Sequence, residues 1–135
     1  MKNKQILLAS RPTGAVDESH FRLVETDIPK AGDNEFVVRA HYLSLDPYMR
    51  GRMDDAKSYA AKAEVGEVMV GAAVGEVIES RHEKFIVGDF VQTRTGWQEY
   101  GVSDGSGVRK VDPKYVPLSA YLGAVGMPGV TAWIG

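Results

Sequence analysis

The segment spanning residues 46–52 places an aspartate, a tyrosine and two arginines around a proline. A strand-like sequence ends at Pro47, and loops that follow strand ends are where functional sites are usually built. The Tyr48 hydroxyl can donate a hydrogen bond to a carbonyl oxygen that gains negative charge. Arg50 and Arg52 follow on the same loop, and an arginine can hold a phosphate or a carboxylate. The segment is therefore a candidate for contact with a substrate.

The same segment also has a purely structural interpretation. Tyr48 and Met49 would then fill the core beneath a turn, and Asp46 would form an ion pair with Arg50. Residue spacing alone slightly favours this structural interpretation over the chemical one. Both interpretations stay open on these residues.

Two other patterns are weaker indications of a binding site. Residues 71–76 resemble a glycine-rich nucleotide loop, but they lack the G-x-G-x-x-G spacing and lead into strand residues. Close packing of a barrel strand is the favoured interpretation of these glycines. His20, His41 and His82 lie in different segments, without the clustering that zinc sites favour. We therefore expect solvated or locally hydrogen-bonded histidines and no metal ligands.

The composition excludes several classes of site and partner. The sequence contains no cysteine, which excludes disulfides, thiolate catalysis and cysteine-based zinc or iron–sulfur sites. The 16 basic and 18 acidic residues give a net charge of −2, which disfavours binding to nucleic acid or to a membrane surface. The apolar run at residues 6–9 is shorter than the roughly 7–15 residues of a secretory signal. The sequence therefore predicts a cytoplasmic protein.

The elements that position the candidate segment are predicted to be mainly strands. The 135 residues fit one domain, and short stretches rich in β-branched residues are separated by turn signals, as in a small barrel or sandwich. Gly71 and Gly75 interrupt one of these stretches, which suggests a bulge or a close backbone approach. A loop or short helix is predicted for residues 48–57. The predicted strands are residues 4–10, 21–25, 35–46, 67–79, 90–93, 97–102 and 108–111.

The last 21 residues, 115–135, carry no charged side chain. A membrane-spanning helix needs about 20 apolar residues, but the prolines and glycines of this segment make it a poor spanning helix. A short helix is predicted instead for residues 119–126, with Ser119 as N-cap and Gly126 as the stop. A second helix is predicted to begin at Pro128. We expect this apolar segment to pack against chain that follows it.

Residues 42–53, Tyr-Leu-Ser-Leu-Asp-Pro-Tyr-Met-Arg-Gly-Arg-Met, resemble the signature of the zinc-independent medium-chain dehydrogenases/reductases. Within that family they are similar to the leukotriene B4 dehydrogenase/prostaglandin reductase branch. This branch also holds plant alkenal double-bond reductases and bacterial NADPH-dependent curcumin reductases. The resemblance extends over essentially the whole chain. Supporting stretches are residues 8–12 with Gly14, 21–23, 69–71, 88–91, 96–100 and 122–132.

The resemblance implies a fold and a domain organisation. The expected fold is mainly β with short helices, a GroES-like twisted and partly open β-barrel. Residues 1–118 are expected to be this catalytic domain, and residues 119–135 a helical connection into a Rossmann nucleotide-binding domain outside the sequence. That second domain is expected to hold most of the NADPH contacts. The parent protein is expected to be a homodimer that uses no zinc.

The resemblance also implies a reaction and its residues. Hydride passes from NADPH to the β-carbon of an α,β-unsaturated ketone or aldehyde, and hydrogen bonds must stabilise the developing enolate oxygen. Tyr48 is the expected catalytic residue and a substrate contact. Met49 and Met127 are further expected substrate contacts, and Met127 and Thr131 are expected near the nicotinamide. Arg50 is expected to hold the loop through Asp46.

Two alternative functions stay open on the sequence. The first is a zinc-free quinone reductase, which would share the fold and the cofactor. The second is a stand-alone GroES-like module for binding or oligomerisation, without catalysis. Such a module would have to bury the uncharged C-terminal segment in an oligomer.

Overall fold

The chain forms two antiparallel sheets with short helices beside them. The computed structural model describes residues 1–55 and 61–135. The seven strands in these residues are β1 Lys2–Leu8, β2 Phe21–Asp27, β3 Phe36–Leu43, β4 Ala73–Ser80, β5 Phe90–Thr93, β6 Tyr100–Ser103 and β7 Arg109–Val111. Strands β1 and β2 form one sheet, and the other has the order β6-β3-β4-β5-β7. The predicted class, mainly β with short helices, is confirmed.

A seam between β1 and the larger sheet closes the barrel only in part. The backbone N–H of Ile6 donates to Trp97 O at 2.9 Å, and that of Leu8 donates to Glu67 O at 3.0 Å. Asn3 is 1% exposed, and its side chain exchanges two hydrogen bonds with the backbone of Tyr100. The two sheets are thus joined by scattered backbone hydrogen bonds of β1 with residues 66–69 and 97–99 and by one buried amide, rather than by a continuous ladder.

This seam explains why two predicted strands begin later than expected. Residues 67–72 and 97–99 lie outside the two β-sheets, although their composition is typical of strands. Val68 and Gln98 each make an isolated bridge to β1 before the chain enters β4 or β6. The chain at each segment bridges to β1 before it pairs with β3, so neither segment forms a long ladder with either strand. The predicted strands 67–79 and 97–102 are therefore too long at their N-terminal ends.

Gly75 marks a close approach of β4 to β3, as the sequence suggests. A Cβ atom at Gly75 would lie 2.1 Å from the carbonyl oxygen of Arg39. The β3–β4 register shifts next to this point, between Ala40 and Tyr42. An insertion of this kind bends a strand and increases its local twist. Glycine is required here because any side chain would push the two central strands apart.

The described residues form three buried hydrophobic clusters, of which the smallest holds Ala31, Val37 and Tyr100. The cluster within the larger sheet is formed by residues of β3, β4 and β5 together with Phe85, whose ring stacks on Phe36 with centroids 4.4 Å apart. The second cluster lies beneath the helix α1, Tyr48–Arg52. Its buried members are Leu8, Met49, Met53, Ala63 and Met69. This second cluster connects β1 to the candidate segment.

The C-terminal segment is helical, but its caps differ from the prediction. A 3-10 helix covers Leu118–Leu122 and is capped by Pro117, whose carbonyl accepts from the Ala120 N–H at 2.9 Å. Ser119 lies inside this helix, so its predicted role as N-cap is wrong. Gly126 is the N-cap of α2, Met127–Ile134, rather than the predicted stop.

The exposed surface of α2 is strongly apolar. Trp133 is 91% exposed, and Val130 and Ile134 are exposed beside it. None of the helices in residues 1–55 and 61–135 has the length and apolar character needed to cross a membrane. Packing of this helix against further chain stays a prediction.

The close approach at Gly75 yields a stability prediction. Replacing Gly75 with alanine should lower the free energy of unfolding by about 2 kcal/mol or more, because the Cβ would overlap the Arg39 carbonyl. Urea unfolding followed by circular dichroism measures the change. Gly14→Ala is the matched control, since nothing lies within 4 Å of a Cβ there. Equal stability of the two variants would contradict the assigned role of Gly75.

Candidate functional site

The candidate segment begins where β3 leaves the sheet. The Ser44 N–H donates to Ala72 O at 2.9 Å, which fixes the chain as it turns away from β4. Pro47 caps α1 with a helical φ of −57°, and its missing N–H is not needed at that position. Tyr48 is therefore the first residue of α1. Its side chain is 38% exposed, which leaves it accessible to a ligand.

Met49 anchors the segment from below. Its side chain is 3% exposed and packs in the cluster with Leu8 and Met69. Its sulfur also accepts a hydrogen bond from the Asp46 N–H at 3.5 Å. The structure thus places Met49 in the core, outside the lining of the cleft described below. Its role as a substrate contact stays a prediction.

Arg50 holds the segment, but not through the expected partner. Its Nη1 lies 2.7 Å from Asp54 Oδ1, and its Nη2 donates to the Gly14 carbonyl at 3.0 Å. The Asp46 carboxylate instead accepts from the Ser44 hydroxyl at 2.6 Å. The predicted Asp46–Arg50 ion pair is therefore wrong. Asp54 lies one turn further along the chain from Arg50, whereas Asp46 precedes the helix and is turned towards β3.

A cleft of about 880 Å³ opens beside α1. Its lining comes from the candidate segment, from the ends of β5 and β7, and from the start of α2. Tyr48 and Met127 both line it, so the structure brings these two predicted site residues together. Thr131 lies further along α2 and is not among the lining residues. Its predicted contact with a cofactor stays a prediction.

The cleft is lined by basic side chains. Among the described residues, Arg52, Lys62, Arg94 and Arg109 contribute to its wall, against the single carboxylate of Asp46. Of these four cations, only Arg52 belongs to the segment that the sequence singles out. The other three are isolated basic residues in the sequence, and no spacing signal links them. Only the pairing of strands brings them to one cleft.

The pair formed by Asp55 and Lys62 lies at this cleft. The hydrogen bond from the Lys62 ammonium, together with its charge, lowers the pKa of the Asp55 carboxyl below its usual value. Both side chains are largely exposed, so the interaction is screened by solvent. Because the carboxyl pKa is lowered, the pair is intact at neutral pH and is lost as the pH falls through that lowered value.

The histidines engage in local contacts. Nδ1 of His20 accepts from the Asp17 N–H at 3.0 Å, and Nδ1 of His82 accepts from the Lys84 N–H at 3.1 Å. His41 lies 3.8 Å from a Glu76 carboxylate oxygen. In the parts of the chain that the structure describes, no group of three or more His, Asp or Glu side chains could hold a metal ion.

Comparison with known families identifies the chain. Residues 4–111 match the family described as the N-terminal domain of oxidoreductase. The chain belongs to this family. It is 45% identical over 134 residues to the NADPH-dependent curcumin reductase of Escherichia coli, and 40% identical over 141 residues to the 2-alkenal reductase (NADP(+)-dependent) of Nicotiana tabacum. The matches include 99% and 100% of this chain but only 39% and 41% of those proteins.

Solved structures agree with this family membership. The crystal structure of CurA in complex with NADPH from Vibrio vulnificus superposes with a TM-score of 0.88 at 48% identity, over 97% of this chain and 39% of that one. The quinone oxidoreductase from Coxiella burnetii gives a TM-score of 0.68 at 18% identity, over 99% and 45% of the two chains, and so shares the fold alone. The predicted GroES-like fold is confirmed.

The contacts of Arg50 generate a prediction for the candidate segment. Arg50→Gln should lower the free energy of unfolding by about 1 kcal/mol, because Asp54 loses its cation and the Gly14 carbonyl loses its donors at a partly exposed position. Urea unfolding measures this loss. Arg22→Gln, on the exposed face of β2, removes the same charge without such contacts and should have little effect. An equal effect of both substitutions would argue against the assigned role of Arg50.

Proposed function

We propose that the protein containing this chain is an NADPH-dependent oxidoreductase that reduces the carbon–carbon double bond of α,β-unsaturated ketones and aldehydes. In this proposal residues 1–118 are the catalytic domain, and residues 119–135 lead into a nucleotide-binding domain. The observation that carries the proposal is the accessible Tyr48 at the start of α1, facing a cleft of about 880 Å³. The names of the two relatives, a curcumin reductase and a 2-alkenal reductase, support the reaction class.

Tyr48 can stabilise the negative charge that this reaction creates. Addition of hydride to the β-carbon moves negative charge onto the carbonyl oxygen, and a donor placed there in advance stabilises that charge. The phenolic hydroxyl is such a donor. Pro47 sets the backbone from which Tyr48 projects, and the buried Met49 fixes the next residue in the core. We therefore assign Tyr48 the catalytic role and Met49 a positioning role beneath it.

The cleft suits the proposed cofactor. A nicotinamide dinucleotide is an anion with a flat aromatic end, and the cleft combines four cationic side chains with the apolar Met127. When bound, NADPH supplies a hydride. Met127 would form part of the wall against the nicotinamide and the substrate, and Thr131 would lie near the same ring. Met127 and Thr131 would contribute packing surface only, since the charge of the reaction develops at the substrate oxygen.

The remaining predictions about the whole protein belong to this proposal. A small enone or enal is the proposed substrate, and a homodimer in the cytoplasm is the proposed state of the full-length protein. The chain itself spans 39% of the length of the curcumin reductase and 41% of that of the alkenal reductase.

Substitution of Tyr48 tests the proposed mechanism. In the full-length protein, Tyr48→Phe should lower kcat for NADPH-dependent reduction of an enone by roughly a hundredfold, because the oxygen loses its hydrogen-bond donor. The measurement is the loss of NADPH absorbance in the presence of benzylideneacetone.

Tyr115→Phe is the matched control, because Tyr115 is highly exposed and does not line the cleft. Its rate should stay unchanged. An unchanged rate for Tyr48→Phe would remove Tyr48 from the mechanism. Turnover of a quinone but not of an enone would replace the proposed reaction with quinone reduction.

A further inference from the structure

We propose that Arg94 and Arg109, here called the arginine pair, bind a carboxylate or phosphate oxyanion of a molecule in the cleft. The inference deepens the proposed function and rests on it for the identification of the cleft as the substrate and cofactor site. It adds a recognition element at the end of β5 and the start of β7, outside the candidate segment around Tyr48. The chemistry sought is an oxyanion with two oxygens that face two guanidinium groups.

The strand register brings the arginine pair together. Gln92 of β5 is paired with Arg109 of β7 in an antiparallel ladder. Arg94 directly follows the last residue of β5, and Gly107 lies two positions before β7 begins at Arg109. All four line the cleft. Arg94 and Arg109 therefore reach the same cleft wall from the adjoining ends of two paired strands.

Neither member of the arginine pair has an acidic partner. No carboxylate oxygen of the described residues lies within 4.0 Å of the Arg94 or the Arg109 guanidinium. Residues 56–60 contain no acidic residue that could serve instead. By contrast, Arg50 and Arg81 each lie 2.7 Å from an aspartate. Two uncompensated like charges that line one cleft repel each other, and an oxyanion bound between them would attract both and offset that repulsion.

Arg109 is held in place before any ligand arrives. Its Nη2 donates to the Gln92 side-chain oxygen at 2.9 Å, and its guanidinium carbon lies 6.0 Å from the centre of the Tyr121 ring. These neutral contacts orient the group without neutralising its charge, and such preorganisation lowers the entropic cost of binding. Nothing lies within 4 Å of a Cβ atom placed at Gly107, so the cleft wall is open at that position near Arg109.

The other two cations of the cleft are already engaged. The ammonium of Lys62 is paired with Asp55, and Nε of Arg52 donates to the Ala61 carbonyl at 2.7 Å. A ligand would have to compete with these contacts, at least in part. The arginine pair is therefore the part of the basic wall best suited to a new oxyanion.

Either the substrate or the cofactor could supply the oxyanion, and both kinds of oxyanion accept hydrogen bonds from arginine. An enone substrate could carry a carboxylate, or the cofactor could present a phosphate. Binding constants of the full-length protein separate them. One comparison uses benzylideneacetone and its para-carboxylate, which differ only in the anion. The other uses NADPH and NADH, which differ only in the 2′-phosphate. Both are measured by calorimetric titration, so turnover is not required.

Arg94→Gln and Arg109→Gln should each reduce the preference for one of these anions over its neutral or dephosphorylated analogue by roughly tenfold, as expected for a lost charge-assisted hydrogen bond. Arg94→Lys should restore only part of the preference, because an ammonium lacks the planar fork. The control Arg22→Gln removes an equal charge outside the cleft and should leave both preferences unchanged. A changed carboxylate preference identifies the substrate as the source, and a changed NADPH preference identifies the cofactor.

If neither preference changes in either glutamine variant, the proposal is overturned. An equal change in Arg22→Gln would also overturn it, because the effect would then reflect net charge rather than a site. If the full-length protein reduces no enone but Arg94→Gln still weakens binding of the anion, the proposed reaction fails and the arginine pair stands.

Discussion

The burial of Met49 is the contact on which the geometry of the candidate site depends. Met49 shares a hydrophobic cluster with Leu8 of β1 and with Met69 at the seam between the sheets. Because its neighbour Tyr48 begins α1, the packing of the barrel sets where the phenol points. Arg50 then fixes the other side of the same helix to the loop at Gly14. The position of the Tyr48 side chain is therefore held only as firmly as this core is packed.

The strand pattern and the candidate helix can be predicted because both depend on residues that are neighbours in the sequence. Alternating apolar residues indicate β3, and Pro47 after an apolar stretch indicates a break followed by a site. Local patterns do not reveal which partner a segment pairs with, so the strands at residues 67–79 and 97–102 were predicted too long. The Asp46–Arg50 pair failed for a related reason. Spacing permits that pair, but the geometry of a helix start turns Asp46 towards Ser44.

The convergence of basic side chains in the cleft cannot be predicted from the sequence. Arg94 and Arg109 are separated by 15 positions in the sequence, and each follows or begins a short strand that looks unremarkable alone. Only the antiparallel pairing of β5 with β7 brings both to one cleft. The family resemblance supplied Tyr48 and Met127 as site residues because these belong to a recognisable motif. Charges that converge through tertiary structure leave no comparable signature.

The seam beside β1 has a consequence for how the molecule opens. Isolated bridges, a few backbone hydrogen bonds and the Asn3 side chain join β1 to the chain beside the larger sheet. Separation along this line would therefore expose amide groups of β1 while the larger sheet stays paired. Separation would withdraw Leu8 from the cluster that supports Met49. Slow amide exchange in β1 would thus report on the rigidity of the segment around Tyr48, although the two lie in different parts of the sequence.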